Sequence, residues 1–161
     1  MRSLVYEDLY IGGRWQSPAT GQRRSVISPH TEDPIGETPE AAPEDVDKAV
    51  TAARAAFDNG PWPRLTPLER MEKIEKLTAV YSAHTDEMAD LITAEMGSPR
   101  SFSRLGQAAG AVAQMHLNLA TAREFAWVER RQGLFGEVHV RRAPVGVVGA
   151  IVPWNVPQFL I

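Results

Sequence analysis

Cysteine is absent from all 161 residues, which excludes disulfides, thiolate catalysis and any cysteine-ligated metal within this chain. Histidine is scarce: His30, His84, His116 and His139 are widely separated and give no ligand spacing, so no metal site is expected. Excess positive charge is lacking as well. The net charge is −3, no basic stripe follows from it, and nucleic acid is not an expected partner. The opening residues hold Glu7 and Asp8 where a secretory leader needs an apolar stretch, so a cytoplasmic location is expected. Uninterrupted apolar runs are also missing. Val145–Ile161 carries no formal charge, but it sits at the lower limit of the roughly 17–25 residues that span a bilayer. Gly146, Gly149, Pro153 and Pro157 interrupt it, so a buried strand followed by a loop is the better reading and no membrane association is expected. No segment repeats, which excludes a solenoid.

What is present suits a folded soluble protein: 43% hydrophobic and 23% charged residues, in a length that accommodates one ordinary domain. The chain begins as β structure. Leu9-Tyr10-Ile11 and Arg14-Trp15 flank Gly12-Gly13, a two-residue hairpin signal. Ser25–Ser28 and Ile35 read as a second extended pair around a turn at Pro29-His30-Thr31.

Helical signals follow. Pro43 with Glu44 and Asp45 opens a first helix through Val46, Ala49, Val50, Ala53 and Phe57, ended by Asn59-Gly60-Pro61. Thr66-Pro67-Leu68-Glu69 is a capping box with proline at its first helical position. Leu68, Met71, Ile74, Leu77 and Tyr81 supply its expected buried stripe. Thr85 is the expected cap of a third helix through Met88, Leu91, Ile92 and Met96, closed by Gly97 and Pro99. Spacings of three and four from Phe102 through Leu105, Ala109, Val112, Met115, Leu119, Ala122 and Ala126 predict a long fourth helix, from about Phe102 to Val128. Gly106 and Gly110 suit close packing of that helix in a soluble protein.

The tail returns to β. Val138 and Val140 alternate with Glu137, His139 and Arg141, a strand with one solvated face. Val145, Val147, Val148, Ile151 and Val152 then read as a strand buried on both faces, typical of a central parallel strand. Parallel neighbours need crossovers of about a dozen residues, which do not fit before Ile161, so the chain is expected to be the front part of something larger. Gly146-Val147-Val148-Gly149 is not a dinucleotide fingerprint, since it lies within the strand instead of opening a helix. Small residues where another backbone packs closely explain it as well.

Pro153-Trp154-Asn155-Val156-Pro157 carries the chemistry. The two prolines remove donors and stiffen the backbone around Asn155. A rigidly placed amide at the carboxyl end of a strand suits an oxyanion-stabilising or cofactor-orienting role. The alternative is ordinary: Trp154 fills a core edge and Asn155 caps a turn.

Together these segments resemble the N-terminal part of the NAD(P)-dependent aldehyde dehydrogenases. Leu9–Trp15 resembles that family's opening hairpin, and Ser28-Pro29 with Gly36-Glu37 the next. Ala49–Phe57 followed by Trp62 resembles its first helix and link, and Pro144–Val148 running into Pro153-Trp154-Asn155 and Pro157 its strand and loop entering the active site.

The resemblance implies an incomplete α/β fold: β-hairpins over 1–42, helices over 43–131, a strand over 136–142 that resembles the oligomerisation region, and the first parallel strand of a Rossmann-like sheet with the active-site loop over 144–161. It implies that Asn155 is the catalytic asparagine, whose amide donates to the oxyanion formed when a cysteine thiolate attacks an aldehyde. It implies that Ile151, Val152, Pro153 and Trp154 line the NAD or NADP site together with Asn155. Val156 stands where an aromatic residue is usual. The cysteine nucleophile, the ribose-binding lysine and the glutamate base have no match here, and acids such as Asp90 and Glu95 read as exposed helix residues. The expected activity is oxidation of an aldehyde to an acid by a full-length homo-oligomer, with the 161 residues alone inactive. The rival expectation is a truncated product that acts only by associating with a partner or a full-length subunit.

Overall fold

The hairpin glycines act first. In the computed structural model, which describes residues 4–161, Gly12 and Gly13 both take positive φ and join β2 (Leu9–Ile11) to β3 (Arg14–Gln16). The second expected pair is β4 (Arg23–Ile27) and β5 (Pro34–Pro39), antiparallel. A short β1 (Leu4–Val5) adds to β5 in parallel, giving the order β1-β5-β4. That pairing lacks a sequence signature because two residues carry no periodicity.

Helix α1 spans Pro43–Asn59 and α2 spans Pro67–Ala83, with a 3₁₀ turn at Trp62–Arg64 between them. The capping box of α2 forms as expected: Thr66 Oγ1 accepts from the Glu69 N–H at 3.2 Å, and Glu69 Oε2 accepts from the Thr66 N–H at 2.7 Å. Helix α3 spans Thr85–Met96, with His84 rather than Thr85 in the cap position, and ends at Gly97 in the left-handed conformation.

The buried stripes shift from the expected ones. On α2, Met71 and Thr78 are buried, while Leu68 and Leu77 face solvent. The Thr78 hydroxyl donates to the Ile74 carbonyl at 2.8 Å, which removes the penalty of an unpaired buried hydroxyl.

The long fourth helix is broken into three. A turn of α4 (Arg100–Phe102) runs into a π-helical stretch at Ser103–Ala108 and then into α5 (Ala109–Glu124). The wider π turn inserts residues into the α-helical period. The buried residues are therefore Ser103, Gln107, Ala108 and Ala111, while Phe102 and Leu105 are exposed. Ala89, Ile92 and Ala108 form the tightest core, with Met88 and Met96 packed on it.

Two expectations for the tail are corrected. The helix does not reach Val128. Phe125 turns to extended backbone, and the Trp127 indole donates to the Ala122 carbonyl at 2.8 Å, satisfying one open helix-end acceptor. Val128–Gly133 (β6) is instead a strand, paired antiparallel with β7 (Gly136–Arg141) from Val128↔Arg141 to Gly133↔Gly136. The helical segment read as 43–131 thus ends at Glu124, and the strand read over 136–142 is half of a hairpin.

Val145–Val152, expected as a buried parallel strand, takes no regular secondary structure, and Val145, Val148 and Ile151 are exposed. A strand forms only through a neighbour's hydrogen bonds, and none of the described residues pairs with it. No helix among the described residues is long and apolar enough to cross a membrane.

Candidate functional site

The apolar ribbon after β7 leads to the motif. It first crosses the carboxyl end of α1, where Gly146, Val147 and Val148 line a groove with Ala53, Ala56, Phe57 and Trp62. Ala143 and Pro144 close one side of a neighbouring cavity of about 350 Å³ that also holds Trp62, Met71 and Trp127.

Beyond the ribbon, Trp154 and Asn155 form a turn, and a short helix α6 (Pro157–Leu160) begins where the sequence suggested only loop. Proline at its first position explains the start. Val156 is the cap residue and α6 has no side-chain cap hydrogen bond, so Asn155 does not serve as the cap of this helix. Ile151, Pro153, Trp154 and Asn155 are exposed, and Val152 is half-buried. The five residues predicted from the sequence therefore lie on one continuous, largely uncovered segment with a polar amide at its end.

Helix α6 is fastened to the helical body. The Tyr81 hydroxyl donates to Gln158 Oε1 at 2.9 Å, and Gln158 Nε2 approaches Met88 Sδ at 3.5 Å. The Phe159 ring lies against Gly110, where a Cβ would meet it at 3.6 Å. Burial raises the Tyr81 phenol pKa above its ordinary value, so Tyr81 stays protonated as a donor at neutral pH. Sequence reasoning placed Tyr81 only in the core stripe of α2 and assigned nothing to Gln158. The available signal was a second amide, three residues after Asn155, in an otherwise apolar tail.

Residues 15–161 match the model of the aldehyde dehydrogenase family. Aldehyde dehydrogenase 1 of Tanacetum cinerariifolium is 32% identical over 99% of this chain and 33% of its own length. A 3-succinoylsemialdehyde-pyridine dehydrogenase of a Pseudomonas species is 37% identical over 94% of this chain and 31% of its own. Among solved structures, a Mycobacterium tuberculosis aldehyde dehydrogenase complexed with NAD+ superposes with a TM-score of 0.92 at 42% identity, covering 98% of this chain and 33% of that one. The chain spans about a third of the length of the curated relatives it matches.

Proposed function

The chain belongs to the aldehyde dehydrogenase family, and from that premise we propose that it forms part of an enzyme oxidising an aldehyde to a carboxylic acid with NAD or NADP. The observation that carries this is the exposed Asn155 amide between Pro153 and Pro157, at the end of an uncovered apolar ridge. Asn155 donates from its side-chain amide to the oxyanion that forms when a thiolate adds to the aldehyde carbonyl. Stabilising charge only as it develops lowers the barrier without tightening the ground state.

Ile151, Val152, Pro153 and Trp154 would line the NAD or NADP site, mostly through backbone and apolar contact. Pro153 offers no competing N–H there. The bound dinucleotide supplies the hydride acceptor. The thiolate, and the carboxylate that activates water for thioester hydrolysis, come from outside these 161 residues, which contain no cysteine. The working protein is a cytoplasmic homo-oligomer, and the 161 residues alone are inactive.

The test is Asn155→Ala in a full-length dehydrogenase carrying these residues. Loss of one oxyanion donor lowers turnover by roughly 10²–10³, with dinucleotide affinity changed much less. If Asn155 serves only to form the turn, melting temperature falls while turnover per folded molecule stays near normal. Single-turnover rate and thermal melting on the same preparation separate the two results.

The exposed apolar side chains on the ribbon and at Leu134 and Phe135 favour a second reading, in which a product of this length acts only by association with a partner or full-length subunit.

A further inference from the structure

Asn155 must be held still to act as an oxyanion donor, yet the ribbon that leads to it is exposed and unpaired. Its firm attachment lies on the other side, three residues on. A helix of four residues is not stable by itself, so α6 is defined by what it touches. Three elements grip it. Tyr81 of α2 donates to Gln158 Oε1 at 2.9 Å, and Gln158 Nε2 reaches Met88 Sδ of α3 at 3.5 Å. Phe159 rests beside Gly110 of α5, its ring 3.6 Å from where a Cβ would stand, an ordinary van der Waals contact. Met88 in turn packs on the Ala89–Ile92–Ala108 core.

We propose that Gln158, clamped between Tyr81 and Met88, is a positioning residue that fixes Asn155 through the stiff Pro157 link. The proposal rests on the reading of Asn155 as the oxyanion donor. Pro157 fixes its own φ and restricts Val156, so few torsions separate the clamp from the amide. A shift of the clamp is passed on to Asn155 instead of being absorbed. Tyr81 is the directing partner because its hydroxyl stays protonated at neutral pH and donates to Oε1.

The experiment uses a full-length dehydrogenase carrying these 161 residues, with Tyr81→Phe, Gln158→Leu, Gln158→Glu and Asn155→Ala made singly, and Tyr81→Phe combined with Asn155→Ala. Misplacing a catalytic group by around an ångström costs up to about 10²-fold, so we expect Tyr81→Phe and Gln158→Leu to lower kcat by about three- to thirtyfold. KM for aldehyde and dinucleotide should change by less than about twofold, because ground-state contacts are not involved. Gln158→Glu keeps an acceptor for Tyr81 and should retain more kcat than Gln158→Leu. In the Asn155→Ala background, Tyr81→Phe should cost nothing further, since the group it positions is gone. Losses that multiply in the double variant mean a general structural role and overturn the proposal. So does a kcat unchanged in Tyr81→Phe and Gln158→Leu while Asn155→Ala loses turnover. Near-normal turnover in Asn155→Ala, by contrast, overturns the oxyanion reading itself. Tyr81→Phe preserves the ring and so tests the clamp even if a Gln158 variant fails to fold.

Discussion

Asp45 shows how much one carboxylate can organise. Its side chain is 1% exposed, yet its oxygens accept from the Ala19 N–H at 3.0 and 2.9 Å, from the Ala42 N–H at 3.1 Å and from Lys48 Nζ at 3.2 Å. It thereby ties the loop after β3 to the start of α1. The Ala19 N–H is the main cause that lowers its pKa below the ordinary carboxylate value; burial opposes this, and Ala42 and Lys48 reinforce it. A pKa depressed on folding means the charged form stabilises the fold above the ordinary carboxylate pKa. That stability is lost as pH falls through the lowered one. We expect Asp45→Asn to melt earlier at neutral pH and to lose less on acidification. Melting curves of both proteins between about pH 3 and pH 7 check this, and parallel pH profiles would refute it. The sequence marked Asp45 only as an acid favoured by the helix dipole. Its long-range bond to Ala19 was not legible, because nothing in local spacing places residue 19 against residue 45.

Elements were legible where their signals are local. Capping boxes, prolines at first helical positions and C-terminal glycines act within one turn, and α1, α2 and α3 begin and end within a residue or two of where those signals place them. The tail was less legible for two physical reasons. The π turn at Ser103–Ala108 breaks the 3.6 period on which stripe assignment depends, and α-helical spacing continued on paper past Glu124 into residues that pair as β6. Gly97 offers a clean test of the local signals. It takes φ +74°, and an added Cβ would sit 2.9 Å from Pro29 Cγ. Gly97→Ala should therefore cost about 1–2 kcal/mol for left-handed backbone alone, and more once Pro29 is displaced. Gly21→Ala, where a Cβ meets open space, is the control. Equal denaturation midpoints for the two variants would show that the helix end relaxes to another conformation.

Across the whole molecule, helical packing covers little of the apolar surface the sequence offers. Val46 and Val50 on α1, Leu134 and Phe135 at the hairpin tip, and Val145, Val148 and Ile151 on the ribbon are all exposed. The β-branched run expected as a buried strand is exposed instead, because none of the described residues pairs with it or packs over it. This is also why Asn155 could be picked out while its surroundings could not: motif chemistry is local, whereas a closed site needs the elements that pack over it. Scattered apolar side chains are normal on a soluble protein, but contiguous ones promote association. The ribbon adds to these a run of backbone donors and acceptors without strand partners, a template for pairing with another copy. A polypeptide of these 161 residues alone should therefore self-associate. Sedimentation velocity at concentrations above about 10 µM should show dimers or larger species. Ile151→Lys, which sets a charge on the ribbon at a fully exposed position, should shift that distribution toward monomer without lowering the melting temperature. A parent chain that sediments as a clean monomer would mean that the ribbon is covered by its own fold in solution. Undiminished association in Ile151→Lys would move the contact to α1 or the hairpin tip.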